Sequence, residues 1–243
     1  MTTLNLLQQE ALIKTGDVDH ADWNYRPLLR KISRTRFKLI KSLLGNRHCN
    51  RIMEIGYGSG VFLPELAEHA YEVYGIDVHD KNYEVKAKLA EVDIEATLVS
   101  SGAEKIEAED NFFDSIVAVS ALEFVSDLDA VCSEIKRTLT PDGSFLVVTP
   151  GKSLILDFGL KLLTGKSAKD EFGNRRENII PTLNKHFDVK QNLSFPKFRA
   201  SPIKCYTAME LVPKKTNLNC KKKPVALKSN RRASDPLAIH TTG

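Results

Sequence analysis

The sequence predicts an α/β protein with a doubly wound, mostly parallel seven-stranded sheet and a C-terminal antiparallel hairpin. Short apolar runs alternate with amphipathic segments from Arg51 to Thr149, the pattern of strands linked by crossover helices. A glycine-rich turn follows the first strand, and an acid closes the second. Near the end, 187–194 and 205–212 alternate apolar with polar residues, as the two strands of a hairpin do.

Residues 1–20 read as a loosely helical lead-in. Asp22-Trp23-Asn24-Tyr25-Arg26-Pro27 follows and holds the chain's one tryptophan. Leu28, Leu29, Ile32, Leu39, Ile40, Leu43 and Leu44 then recur at helical spacing, with basic residues mostly on the other side, and Gly45-Asn46 ends the helix. Trp23 and Tyr25 can be read as packing for this helix or as a lid that shields a reacting centre from water. Residues 1–45 thus form an N-terminal helical lid or extension, ahead of a main domain at 46–213.

Ile52, Met53 and Ile55 are a buried strand, and Gly56, Gly58 and Gly60 pack three residues without Cβ into the turn after it. Val61–Ala70 reads as helix, and Val73–Ile76 as the second strand, closed by Asp77. The start of a helix offers unpaired N–H groups, and a carboxylate at the next strand tip can accept two ribose hydroxyls. Lys81–Val92 is the next predicted helix, Ala96–Val99 the third strand and Ser115–Val119 the fourth. A helix over Asp127–Thr138, a turn at Pro141-Asp142-Gly143 and a fifth strand at Ser144–Thr149 complete the alternation.

Nicotinamide and flavin domains want G-x-G-x-x-G, which would put the third glycine at Val61. Here it is Gly60, and Glu54 stands two residues before the first glycine. E-x-G-x-G-x-G resembles the first motif of the class I S-adenosylmethionine-dependent methyltransferases. Ala103-Glu104, Phe113-Asp114 and Leu139-Thr140-Pro141-Asp142-Gly143 resemble, in order and spacing, the type 11 branch that includes quinone-biosynthesis enzymes. The resemblance covers roughly Arg51 to Pro150 and implies a Rossmann-like methyltransferase fold. It implies S-adenosylmethionine as cofactor, with S-adenosylhomocysteine as product. Carried over, Gly56, Tyr57, Gly58 and Gly60 surround the methionine part, with Glu54 supporting the turn or the amino group. Asp77 holds the ribose, Val78 lies along the adenine, Ala103 and Glu104 border it, and Ser120 sits beneath the sulfonium. Two positions depart from the family. Gly102 replaces the usual Asp before the Ala-Glu pair, and Glu123-Phe124 stands where many relatives carry a His.

Beyond Pro150 the resemblance loosens. The run Leu154–Leu163 reads as a helix on the sheet or a cover for a hydrophobic substrate, so 151–186 is a candidate substrate insertion. Ile179–His186 is predicted helical. The chain has 243 residues and a net charge of +4, but the excess is local. Positions 214–243 hold eight Lys/Arg against Asp235 alone, which leaves 27 basic and 30 acidic residues before them. The body is mildly acidic, which argues against a nucleic-acid groove built into the fold. The basic tail reads as disordered and could touch nucleic acid or anionic lipid.

Four widely spaced cysteines form no metal-ligand pair, and no metal is expected. No signal peptide or membrane span is read, so a cytoplasmic location is expected. The resemblance implies methyl transfer to a small molecule or a lipid- or sugar-linked intermediate, with Glu123 or His186 as candidate base. The rival is a nucleic-acid-binding or scaffold protein that works through its tail and carries a degenerate cofactor site.

Overall fold

The computed structural model describes residues 3–17, 19–27, 29–151, 175–196 and 205–214. Seven strands form one sheet in the order β3-β2-β1-β4-β5-β7-β6. They are β1 (Cys49–Ile55), β2 (Ala70–Asp77), β3 (Thr97–Ser100), β4 (Phe113–Val119), β5 (Leu139–Pro150), β6 (Phe187–Phe195) and β7 (Tyr206–Pro213). The first five run parallel, and β7 lies antiparallel between β5 and β6. Strand order reverses between β1 and β4, so a crevice opens where the strands end there.

Alternation along the strands splits the core in two. Val117, Val119, Leu146 and Val148 face the helices α1 (Arg30–Leu44), α2 (Leu63–Ala67) and α3 (Asn82–Ala90). Ile116, Ala118, Phe145 and Val147 face α4 (Leu128–Thr138) and α5 (Arg175–His186) on the other side. On α1, Phe37, Ile40 and Leu44 are buried, and Phe37 stacks on Phe62 with ring centroids 4.4 Å apart. Asp127 caps α4 by accepting the Ala130 N–H at 2.9 Å.

Several expectations shift. The lead-in holds only one 3-10 turn in its described part, Gln9–Ala11, and is otherwise an extended strap. Leu7 is buried to 1% exposure and its N–H reaches the Val61 carbonyl at 3.1 Å, so tertiary contact overrides local preference. The helix expected over 61–70 shrinks to α2, because the tight turn extends past Gly60 and β2 already begins at Ala70. Pro141-Asp142-Gly143 does not break the chain into a separate turn. The strand starts at Leu139, opposite Phe113, and the extra residues are an irregularity before Ser144 pairs with Ser115. Of the candidate insertion, α5 begins at Arg175, earlier than predicted; the run at 154–163 and the tail from 215 lie outside the described residues.

Candidate active site

The glycine turn is held against β2 by the Gly56 N–H, which donates to the Ile76 carbonyl at 2.8 Å. Gly56, Gly58 and Gly60 have φ of 73°, 52° and 73°. A Cβ on Gly56 would lie 2.5 Å from the Ala121 Cβ, so this position excludes every side chain. Gly60 serves packing, since a Cβ there would come 2.9 Å from Val85 Cγ1. At the tip of β2, Asp77 accepts the Gly58 N–H at 2.8 Å on one oxygen and the Val78 N–H at 2.7 Å on the other. The turn and the acid are thereby locked to one another. His79 adds a contact from its Nε2 to the Gly58 carbonyl at 3.0 Å and sets its ring edge-on to Tyr57.

A cleft of about 710 Å³ opens over this turn. Glu54, Gly56, Tyr57 and Gly58 line it from β1 and the turn, and Asp77 with the 80%-exposed Val78 from β2. Ala103 and Glu104 reach it from the loop after β3, Ser120 and Glu123 from the end of β4, and Trp23 from the 3-10 turn Ala21–Asn24 that follows the strap. Ser120 has φ of 53°, and its Oγ is buried without a hydrogen-bond partner. Trp23 stacks on His20 at 4.4 Å, while Thr15 and Asp19 border Gly58. The strap therefore crosses the glycine turn.

Four candidates fall outside the walls. Gly60 packs as described, and Gly102 lies in the turn beside them. Tyr25 is not in the cleft wall: its hydroxyl donates to the Leu7 carbonyl, and Arg34 lies over its ring at 5.2 Å. His186 is a correction of another kind. It ends α5 and contacts Asp129 at 2.6 Å, and the next residue, Phe187, pairs with Pro213. The cleft is reached at the other end of β7, where Tyr206 pairs with Pro150; seven residues of strand rise put them roughly 23 Å apart.

Of the cleft residues Arg36, Arg176 and Tyr206, the sequence offers Arg176 as a possible substrate contact or exposed surface and Arg36 as part of a basic helix face, and it gives Tyr206 no role. For Arg36 a signal existed. It shares a helical stripe with Ser33, Phe37 and Ile40, all buried, so it is a basic residue on an inward face. Tyr206 carried none, because its neighbours in sequence say nothing of a distant cleft.

Electrostatically the cleft is tense. Glu54 is 2% exposed and its Oε2 has no hydrogen-bond partner. Burial pushes its carboxyl up to about 8, with Arg36 opposing and Asp77 adding to the rise. Glu123 is 3% exposed, its Oε2 likewise without a partner, and burial raises its carboxyl against the pull of its own N–H, Arg176 and Arg36. Burial also lifts the Tyr57 and Tyr206 hydroxyls above their ordinary range.

These residues fit an S-adenosyl cofactor. The orphaned Glu54 carboxyl can accept an ammonium group, Arg36 can take a carboxylate, and the turn brings bare backbone up to the ligand. Asp77 stands where ribose hydroxyls would be accepted. Among the described residues, no three His, Cys, Asp or Glu are grouped as metal ligands.

Known proteins resemble this chain in sequence and in fold. Residues 53–147 match the methyltransferase domain family. The chain is 30% identical over 105 residues to the sterol 4-C-methyltransferase strm-1 of Caenorhabditis elegans, covering 42% of this chain and 30% of that protein. It is 25% identical over 150 residues to the mitochondrial ubiquinone biosynthesis O-methyltransferase of Arabidopsis thaliana, covering 56% and 46%. The chain thus spans less than half the length of both relatives. A solved S-adenosylmethionine-dependent methyltransferase from Aquifex aeolicus superposes with a TM-score of 0.59 at 17% identity, covering 81% of this chain and all of that one. Residues 53–147 thus resemble the methyltransferase domain family, and the chain shares the fold of solved S-adenosylmethionine-dependent methyltransferases.

Proposed function

We propose that this protein transfers the methyl group of S-adenosylmethionine to a small-molecule acceptor. The observation that carries the reading is the lock between the glycine turn and Asp77, with Glu54 buried and unpartnered beside it. When bound, the cofactor supplies an activated sulfonium methyl. The chain's own residues hold, orient and shield. Asp77 receives the ribose hydroxyls, while Glu54 and Arg36 take the amino and carboxylate ends of the methionine part. Ala103, Glu104 and Val78 border the adenine, and Ser120 underlies the reacting centre. The strap, with Trp23 in the cleft wall, excludes water.

Glu123 is the proposed base for an acceptor hydroxyl: it faces the cleft, and its raised acidity constant moves it toward the range where proton exchange is effective near neutral pH. Relatives named for quinone, sterol and phosphatidylethanolamine methylation support a small or lipid-linked acceptor. Cys49 and Cys132 are thiols, which suits a reducing cytoplasmic setting. Among the described residues no helix is long and apolar enough to cross a membrane.

Titrating S-adenosylhomocysteine into the full chain by calorimetry tests the reading. Micromolar binding is expected, lost in Asp77→Ala, with no binding of NAD. A folded chain that ignores S-adenosylhomocysteine, or takes NAD instead, sinks it.

A further inference from the structure

Two side chains from the tip of β2 close on a single residue of the glycine turn. Gly58 donates its N–H to Asp77 at 2.8 Å, and its carbonyl stands 3.0 Å from His79 Nε2. Packing does not hold this residue. A Cβ on Gly56 would come 2.5 Å from Ala121 and one on Gly60 2.9 Å from Val85, whereas at Gly58 nothing lies closer than the Asp19 carboxyl at 3.8 Å. With a φ of 52° and open space around it, Gly58 has the widest freedom in the turn, so its hydrogen bonds decide where its peptide groups point. His79 can serve here in one tautomer only. The Lys81 N–H donates to Nδ1 at 3.1 Å, so Nδ1 is an acceptor, and the proton of the neutral ring sits on Nε2, which donates it to the Gly58 carbonyl. The residue is itself fixed from two sides. Its own carbonyl accepts the Ser100 hydroxyl at 2.6 Å, which ties it to β3, and its ring stands edge-on to Tyr57 with centroids 4.9 Å apart. His79 lines the cleft, yet both of its ring nitrogens are occupied by backbone groups.

We infer that His79 is a positioning residue for the cofactor: through its Nε2–H it sets the Gly58 carbonyl, and with it the backbone that receives the methionine part. Asp77 fixes the N–H side of Gly58 and His79 fixes the carbonyl side. The turn is therefore ordered before the cofactor arrives, and binding does not bear the entropy of ordering it. The inference adds a residue to the methyl-transfer site and rests on that reading.

The test measures the S-adenosylhomocysteine affinity of the full chain by calorimetry, beside His79→Asn and His79→Gln. The asparagine can take the Lys81 N–H in place of Nδ1 but is too short to reach Gly58. The longer glutamine can set its amide N–H where Nε2 stands. His79→Asn should bind about three- to tenfold more weakly than the unaltered chain, the effect of one hydrogen bond, with the unligated Tm held. His79→Gln should bind at least about twofold tighter than His79→Asn. A smaller loss in His79→Asn, or a smaller recovery in His79→Gln, overturns the inference, because a side chain that only packs does not tell the two amides apart. Should His79→Asn show no melting transition, His79→Gln against the unaltered chain decides: affinity within about threefold supports the inference and weaker binding overturns it. An unaltered chain that does not bind S-adenosylhomocysteine fails earlier, at the methyl-transfer reading itself.

Discussion

Glu54 is the residue in which the site's chemistry is most concentrated. With its carboxyl near 8, the folded unligated protein keeps a proton that the unfolded chain releases at ordinary carboxylate values. Its contribution therefore favours the fold at acid pH and fades as pH rises toward 8. Binding an ammonium group reverses the preference, because the ionised form is then the partner. Affinity for S-adenosylhomocysteine should accordingly rise from about pH 6 to about pH 7.5, by at most about tenfold per unit for one proton released. Calorimetry at four pH values checks this, and Glu54→Gln should bind weakly with a flat profile. Gly56→Ala is the complementary probe. Its Cβ would meet Ala121 at 2.5 Å on a φ of 73°, and overpacking of this kind costs roughly 1–3 kcal/mol. A lower Tm with lost cofactor binding is expected, since the turn and the loop after β4 must part. Glu54 and Gly56 were both visible in the sequence because a turn motif is local. Glu123 was visible by its place after a strand. Arg176 and Tyr206 became neighbours only through α5 and β7 folding onto opposite ends of a long stretch of chain.

Among the elements, the strap was the least legible. Leu4, Leu6 and Leu7 have no helical or strand period, and their order comes from the body they lie on. Asn5 donates its N–H to Glu65 at 2.7 Å, Lys41 pairs with the same carboxylate at 2.5 Å, and His69 stands 3.4 Å from it. Burial alone would raise Glu65, but hydrogen bonds from His69, Lys41 and Asn5 hold it below the ordinary carboxylate range. The strap is thus fastened by one buried carboxylate and one buried leucine. Leu7→Ala should cost roughly 2–5 kcal/mol if strap and body unfold together. Differential scanning calorimetry should then record one transition at lower temperature, and a second, unshifted transition would show the strap to be a separate unit. Affinity for S-adenosylhomocysteine should fall as well, because Thr15 and Asp19 border Gly58. α1, α3 and α4 were read to within a turn, while α2 came out shorter and α5 began four residues earlier than expected.

At the scale of the whole molecule, the five parallel strands could be read from apolar runs and one glycine turn, because burial leaves few other sequences for such strands, and the closing hairpin was read from alternating residues. The acidic body and basic tail were equally plain. A chain ending at Lys214 should keep the Tm and the S-adenosylhomocysteine affinity of the full protein, because the sheet closes with β7 at Pro213; a large loss of affinity would assign the tail to the site. That closing strand has a consequence for how the protein is made. Of the described strands, β7 is the last to leave the ribosome, yet it sits between β5 and β6 rather than at the rim. Until residue 213 has emerged, β5 presents a bare row of backbone donors and acceptors and β6 has nothing to pair with. The nascent chain cannot complete its sheet, or set Tyr206 in the cleft wall, before translation of this domain is all but finished.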